Sequence, residues 1–248
     1  DHVATVEFRD MGGRVDLGWN LLKAAQLRLG YWASDRRVSV QTGPPNVAAA
    51  DEIDAGLAFT ARYDSRDAAS FATSGMSAAV EYYKSDESLG GDRDWERVEA
   101  GVRKAVPLRR NLMWVSLAGG TGLGDDLPGD RGFSLGGPRT LAGYQFDEIR
   151  VESYWLAQGS FLWRIKDLST IKNKALYAGF GVYAAGLYDR FDGVPDDEIY
   201  GASAYLAGST PIGSINLGVG YAEKNSAIWI SIGKPVGRGS ILDDGLFR

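Results

Sequence analysis

The sequence contains no cysteine and only one histidine, His2, among its 248 residues. Without cysteine there can be no disulfide framework and no thiolate chemistry. A single histidine close to the start makes a Ser-His-Asp triad untenable. The formal net charge of −5 also lacks the basic excess that a nucleic-acid-binding surface needs. We therefore expect neither a triad enzyme nor a nucleic-acid partner.

Long apolar runs are missing as well. No uninterrupted stretch reaches the roughly 18 apolar residues that indicate a transmembrane helix. The longest candidate, residues 175–188, is rich in glycine and aromatic residues, which favours a strand. Asp1 does not begin a secretory signal peptide. An exported protein must therefore have lost its N-terminal part. We expect that an upstream periplasmic or passenger domain is not included in this sequence.

What the sequence has instead is alternation with a period of two. Ile228, Ile230 and Ile232 alternate with smaller or polar residues, and such alternation marks strands with one apolar face. The mean hydropathy of −0.20 would suit a water-soluble protein, but a transmembrane β-barrel averages its two faces in the same way. The pattern predicts strands near 3–9, 13–20, 24–34, 53–64, 75–85, 95–105, 111–120, 149–165, 174–188, 199–209, 213–222 and 227–234.

The predicted connections differ in length on the two sides. One set comprises 10–12, 35–52, 86–94, 121–148, 189–198 and 223–226, and the other comprises 21–23, 65–74, 106–110, 166–173 and 210–212. The longest connections fall in the first set, as in outer-membrane barrels with long external loops and short periplasmic turns. We predict an all-β, antiparallel, up-and-down transmembrane β-barrel of about 12 strands. It would close segment 3–9 against 227–234, with both chain ends on the short-turn side.

The two predicted faces differ in charge. The lipid-facing alternates carry almost no charge, whereas the other alternates would point into a hydrated lumen and pair there. The charged lumenal set is Arg14, Asp16, Arg28, Arg62, Glu81, Arg97, Glu99 and Arg103. Most tryptophans lie near segment ends, where an aromatic belt is expected. These are Trp19, Trp32, Trp95, Trp114, Trp155, Trp163 and Trp229.

The stretch from Phe133 to Tyr144, FSLGGPRTLAGY, lies in the longest connection. It resembles the in-folding loop motif, F-x-L-G-G-x-x-x-[VIL]-R-G-[YF], of the BamA and two-partner-secretion superfamily of outer-membrane barrels. Residues 63–75 resemble the family's Y-D-[ST]-R-D turn, and residues 210–233 resemble its final turn and strand. Residues 175–233 and the 63–75 turn are most similar to barrels of patatin-like type Vd autotransporters such as PlpD.

The resemblance implies roles for particular residues. The family norm is 16 strands, so this sequence either starts within a longer barrel or forms a smaller closed one, which we favour. The motif loop folds from the external side into the lumen. The loop positions are Gly136, Gly137, Arg139, Leu141, Gly143 and Tyr144. Ala142 stands where the family has an arginine that docks on the inner wall, and Arg139 could replace it. Lumenal partners for the loop would be Glu81, Glu99, Arg103 and Glu152. The turn positions are Tyr63, Asp64, Arg66, Asp67 and Gly75.

The resemblance also implies the domain plan and the function. Residues 1–235 would form the barrel and 236–248 a C-terminal tail. The protein would lie in the Gram-negative outer membrane and anchor or translocate an attached or partner polypeptide, with residues 129–145 as a plug. Lipid or lipopolysaccharide contact, no cofactor and a homodimer are further expectations. A passive porin and a soluble β-barrel binding protein remain as alternatives.

Two motifs point elsewhere. Residues 132–136 match G-x-S-x-G, but glycine and proline on both sides exclude the strand and helix that a nucleophile elbow needs. Acidic pairs such as Asp125-Asp126 lack the spacing of a calcium loop. We therefore expect no enzyme and no metal site in this sequence.

Overall fold

The computed structural model describes residues 5–42, 50–68, 71–124, 127–138, 140–169, 174–191, 197–210, 213–223 and 225–232. These residues form an almost purely β structure, with one short 3₁₀ turn at Glu87–Leu89. The strands are β1 Thr5–Leu22, β2 Ala25–Thr42, β3 Ala50–Asp64, β4 Gly75–Ser85, β5 Trp95–Leu108, β6 Asn111–Leu123, β7 Phe133–Leu135, β8 Ile149–Ser169, β9 Lys174–Arg190, β10 Asp197–Thr210, β11 Gly213–Ala222 and β12 Asn225–Ile232. Within the described residues no helix is long and apolar enough to cross a bilayer.

All strands belong to one antiparallel, up-and-down sheet. Its order is β1-β2-β3-β4-β5-β6-β8-β9-β10-β11-β12, so strands adjacent in this order are also adjacent in the chain, apart from β7. The short strand β7 pairs with β8, Phe133 opposite Val151, beyond the point where the pairing of β6 with β8 ends at Gly120. β7 therefore pairs with the first residues of β8, which β6 does not reach.

The strands expose apolar side chains on one face, and on the other they bury polar, small and some large apolar side chains. On β12 the exposed fractions of Ile228, Ile230 and Ile232 are 80%, 69% and 61%, and the residues between them are half-buried. The exposed apolar row includes Val15, Leu17, Leu57, Leu117, Phe180, Val182, Leu217 and Val219. An apolar surface this extensive suits hydrocarbon and not water. The predicted alternation is confirmed.

The sheet curves around the long connection that carries β7. Residues of this connection, including Phe133 and Leu141, share one buried cluster with the inner-face side chains Trp32 of β2 and Tyr183 of β9. Strands β2 and β9 are far apart in the sheet order. A single connection can contact both only if the sheet wraps around it, so the hydrophobic core of this sheet lies on its inner face.

The predicted number of strands is confirmed, but the prediction for the first two was wrong. The described part of segment 3–9, from Thr5 onward, and segment 13–20 lie in one continuous strand, β1. The expected connection 10–12 pairs with β2 throughout. Gly12 is no turn residue here: a Cβ on it would lie 2.6 Å from the Ser34 Cβ, so glycine permits close contact with β2. The twelfth strand is β7, inside the long connection.

This correction changes the expected positions of the strand ends. Because eleven strands form the main path, Thr5 lies opposite Thr42 on the long-connection side, whereas Ile232 lies opposite Ile215 on the short-turn side. The expectation that both ends share one side was therefore wrong. In the part of the chain that is described, β1 pairs only with β2 and β12 only with β11, so the expected pairing of 3–9 with 227–234 is not found.

Two local expectations also need correction. The predicted connection 35–52 is largely strand, because β2 continues to Thr42 and β3 starts at Ala50. The tryptophans do not all form an outer belt. Trp32 and Trp95 are buried on the inner face, whereas Trp19 and Trp163 are about half-exposed. A period of two cannot say which alternate points inward when both faces carry aromatic residues.

Candidate functional site

The connection between β6 and β8 makes a compact turn at the glycines of its motif. Gly136 and Gly137 have φ angles of 131° and 95°, which favour glycine. The Thr140 hydroxyl accepts a hydrogen bond from the Gly136 N–H at 3.1 Å and donates one to the Gly136 carbonyl at 2.7 Å. The Gly137 N–H donates to the Tyr144 carbonyl at 3.1 Å. These bonds tie residues 136–144 into one unit, the loop tip.

The loop tip is seated on the inner face of β8, β9 and β11. Gln158 Nε2 donates to the Thr140 carbonyl at 2.6 Å, and the Gly143 N–H donates to the Tyr183 hydroxyl at 3.4 Å. On β11, a Cβ added to Gly220 would overlap the carbonyl of Ala142. The tip is therefore docked, and β11 accepts it because its inward side chains there are small.

Ala142 occupies the position at which the resembled motif has arginine. It is buried, and its carbonyl lies against Gly220, so its seat on β11 is formed by shape and not by charge. Leu141, next to it, is fully buried. The substitute suggested by the sequence, Arg139, lies outside the described residues.

A second anchor lies earlier in the same connection, at Arg131. Its Nε donates a hydrogen bond to Oδ2 of Asp54 on β3 at 2.6 Å, and its Nη2 donates to the Ser34 hydroxyl on β2 at 2.9 Å. The guanidinium carbon lies 5.6 Å from the ring centroids of both Trp32 and Trp95. A charge-assisted hydrogen bond and two cation–π contacts therefore hold one side chain.

The preceding residue, Asp130, has the opposite charge to Arg131 and binds the same region of the inner face. Arg36 of β2 donates to its Oδ2 at 2.8 Å, and Arg93 of the β4–β5 connection donates to its Oδ1 at 3.0 Å. Burial alone would raise the pKa of Asp130, but the hydrogen bond and charge of Arg93, with the charges of Arg36 and Arg131, hold it below its ordinary value. For Arg93 the directions are opposite. Burial alone would lower its pKa, but the hydrogen bonds to Asp130 and Asp54 and the charges of these carboxylates raise it above its ordinary value.

The sequence-predicted lumenal partners lie on the inner face, in separate contacts. Glu81 accepts a hydrogen bond from Arg62 at 2.6 Å, and Glu99 accepts one from the Tyr154 hydroxyl at 2.5 Å. Arg103 lines a cavity below the loop tip, and Glu152 lies beside Gly122 at the end of β6. Pairing within the charged lumenal set is thus present, as in Arg14 with Asp16 at 2.6 Å.

The 63–75 turn forms a second compact unit at the opposite end of the sheet. Arg66 Nη2 binds Asp64 at 2.8 Å, and Asp67 accepts the backbone N–H groups of Thr73 and Ser74 at 2.8 Å and 3.2 Å. Burial would raise the pKa of Asp67, but these bonds and that of the Thr73 hydroxyl lower it. The following residue, Gly75, has a φ of 94°. Of the predicted turn residues, Asp64, Arg66 and Asp67 thus take part in its bonds, and Gly75 adopts a backbone conformation that favours glycine.

The turn also inserts an aromatic side chain into the inner face. Phe71 is buried, with its ring centroid 5.0 Å from that of Trp114 and 5.3 Å from that of Tyr177. Trp114 Nε1 donates to the Ala72 carbonyl at 3.0 Å. A cavity of about 130 Å³ lies between this turn and the loop tip, lined by Phe71, Arg103, Trp114, Ala142, Tyr205 and Trp229 among others.

The Arg131 contacts were not predicted from the sequence. Asp130 and Arg131 lie just before the motif, and the sequence marks them only as flanks of the G-x-S-x-G match. The one usable signal was Asp54, which the alternation of β3 places inward, between apolar residues. In the G-x-S-x-G match at residues 132–136, Ser134 lies in β7, and its hydroxyl accepts a hydrogen bond from Arg150 at 3.3 Å. No triad surrounds it among the described residues.

Comparison with known proteins agrees with this fold. A family model described as the Omp85 superfamily domain matches residues 3–228. None of the curated proteins matches the sequence. Among solved structures, the chain resembles BamA from Haemophilus ducreyi lacking POTRA domains 1–3, with a TM-score of 0.74 and 15% identity. The match covers 92% of this chain and 53% of that one, so this chain spans about half the length of the structure it resembles.

Proposed function

The chain belongs to the Omp85 superfamily, and from that premise we propose that it is an outer-membrane β-barrel that anchors or translocates an attached or partner polypeptide. We place it in the outer membrane of a Gram-negative cell and assign it no enzymatic activity. The exposed apolar row on the outer face supports contact with membrane lipid or lipopolysaccharide, because side chains such as Leu17, Leu117 and Ile230 would otherwise face water.

The observation that carries the proposal is the position of the β6–β8 connection. It contacts β2 and β3 through Asp130 and Arg131, and β8, β9 and β11 through its tip. It therefore crosses the space around which the sheet curves. A passive pore needs that space clear, whereas a passage for polypeptide needs it closed when idle. We assign residues 129–145 the role of a plug.

The finer parts of the proposal rest on sequence resemblance. The 63–75 turn, which has the ion pair and glycine conformation described above, supports a relationship to patatin-like type Vd autotransporters. We further propose residues 1–235 as the barrel, and a homodimer. The proposed tail, 236–248, lies outside the described residues. Crosslinking at Asn225 tests the homodimer, and recovery of monomer alone from native membranes would contradict it.

Single-channel conductance tests the plug. We expect small, unsteady currents from the intact chain in planar bilayers and larger, steadier ones after deletion of residues 129–145. The deletion variant must first show the β-type circular dichroism and the heat-dependent gel mobility of a folded barrel. Large steady pores in the intact chain, unchanged by the deletion, would overturn the plug and favour a porin.

Extraction behaviour tests the membrane assignment independently. Carbonate washing should leave the protein in the membrane fraction, and detergent should release it. Recovery in the carbonate supernatant would favour the alternative of a soluble β-barrel binding protein.

A further inference from the structure

The inner face of the sheet, here called the wall, carries a binding site for a guanidinium group, here called the receptor. The shape of this receptor does not depend on the loop. Trp95 Nε1 donates to Oδ1 of Asp54 at 3.0 Å, and Trp32 Nε1 donates to the Leu57 carbonyl at 3.2 Å. Both indole rings are therefore fixed by bonds to the wall itself, with centroids 5.5 Å apart. Asp54 is fully buried at their base. Wall residues alone define this receptor, which holds Arg131.

The wall also keeps its charges paired without the loop. Arg93 contacts Asp54 at 2.9 Å and Glu52 at 2.6 Å, and Arg36 contacts Asp10 at 2.9 Å. If the loop left, Asp54 would still have a cationic partner, so no bare buried carboxylate would remain. Leaving such a charge unpaired is what makes most buried ion pairs hard to break.

The loop contributes one acidic and one basic side chain to its contact with this wall. Asp130 binds the wall's arginines, and Arg131 binds the wall's acid, so docking leaves the net charge of the site unchanged. Asp130 and Arg131 are adjacent in the chain and remain close to each other, with Arg131 Nε 3.7 Å from Asp130 Oδ2. Both sides of the contact can therefore separate without a charge imbalance.

We propose that Asp130 and Arg131 form a reversible latch that holds the first half of the plug on β2 and β3, independently of the loop tip. The proposal rests on the proposed plug function. It adds that two separable anchors exist: a polar latch at 130–131, and a tip at 141–143 that is seated on β11 by shape. Release of the latch exposes the wall of β2 and β3 while the tip stays on β11.

Hydrogen–deuterium exchange of the purified full chain in detergent tests the latch. Arg131→Ala should raise the exchange rate of backbone amides in 127–138 by about tenfold, the effect of losing an interaction of order 1.4 kcal/mol. Amides of 141–144 should change much less. Arg131→Lys, which keeps the charge but not the planar fork, should fall between Arg131→Ala and the native chain.

Arg110→Ala is the matched control, because Arg110 is 84% exposed and its acidic partner Asp167 is 4.0 Å away. It should leave exchange in 127–138 unchanged. The latch is overturned if Arg131→Ala behaves like this control, or if 141–144 opens together with 127–138. If Arg131→Ala does not fold, Arg131→Lys decides alone, and native exchange in that variant overturns the latch.

Conductance of the same variants separates the latch from the plug. Faster exchange in 127–138 with larger currents supports both. Faster exchange with unchanged currents supports the latch and shows that the seated tip alone keeps the currents small, provided that deletion of residues 129–145 enlarges them; unchanged currents in that deletion contradict the plug function. Unchanged exchange contradicts the latch whatever the currents show.

Discussion

Arg131 donates a hydrogen bond of 2.6 Å to Asp54, a residue 77 positions earlier in the chain. The acceptor is fully buried on β3, and the donor lies in the connection between β6 and β8. The bond thus joins the long connection to the wall that it covers. Because Asp54 also binds Arg93 and Trp95, this one carboxylate organises both the wall and the loop.

Neutralising this carboxylate should be costly. We expect Asp54→Asn to lower the free energy of unfolding by about 3 kcal/mol, because two guanidinium groups would lose a buried anionic partner. Urea unfolding followed by tryptophan fluorescence in lipid vesicles measures the change. Asp35→Asn is the control, since Asp35 is about half-exposed and its contact with Arg37 is 3.6 Å long. It should cost less than about 0.5 kcal/mol. Equal costs for the two variants would contradict the role given to Asp54.

The seat of the loop tip should not tolerate even one added methyl group. Gly220→Ala should displace the tip, since the new Cβ would overlap the Ala142 carbonyl, and should cost about 1–3 kcal/mol of stability. Limited proteolysis within the motif, together with urea unfolding, measures both effects. Gly159→Ala is the matched control in β8, because a Cβ there meets nothing within 4 Å. Faster cleavage in both variants, or in neither, would contradict a shape-based seat.

The fold was largely predictable because each strand carries its own signal. Alternation such as that of Ile228, Ile230 and Ile232 indicates one exposed apolar face. The unequal connection lengths indicate which end of the strands carries the long loops and which the short turns. The failure at Gly12 has a physical cause. Glycine suits both a turn and a close strand contact, and only the facing Ser34 decides between them. Charged residues mislead for a similar reason: Arg36 suggests a loop, but it lies on the inner face and pairs there with Asp10 and Asp130.

The site was less predictable because its contacts are long-range. The motif located the tip, and its glycines do form the turn. However, the receptor for Arg131 combines Trp32, Asp54 and Trp95 from three different strands, and no spacing along the chain joins them. Asp54 could be assigned inward from alternation alone. Which cation it would bind could not, because many arginines share the inner face.

The second inserted unit, the 63–75 turn, should contribute strongly to stability. Phe71→Ala would remove a buried ring that packs on Trp114 and Tyr177, and should cost about 3–5 kcal/mol. Thermal unfolding followed by circular dichroism would show a lower midpoint. Phe146→Ala is the control, since the Phe146 ring is 57% exposed, and its midpoint should stay near that of the native chain. A larger loss for Phe146→Ala would mean that the turn is peripheral to the core.

Acid should weaken the latch through Asp130. The groups that face it are Arg36 of β2, Arg93 of the β4–β5 connection and its neighbour Arg131, and they hold its pKa below the ordinary value of 3.8 despite burial. A carboxyl group with a lowered pKa in the folded state stabilises that state above its unfolded pKa, and this contribution is lost as the pH falls through the folded value. The Asp130 contribution should therefore be constant from pH 7 to about 4 and decline below that.

The difference between the native chain and Asp130→Asn isolates this contribution from the other carboxyl groups. Urea unfolding midpoints at pH 7, 4 and 3 should show the native chain more stable than the variant at neutral pH. The gap should narrow only below about pH 4, because there the unfolded chain binds a proton at this carboxyl that the folded chain binds only at a lower pH. A gap that stayed constant from pH 7 to pH 3 would mean that the folded and unfolded chains bind protons at Asp130 equally, and would contradict a lowered pKa. A gap that widened as the pH fell from 7 to 4 would mean a raised folded pKa, and would contradict the assignment of three arginines as the partners of Asp130.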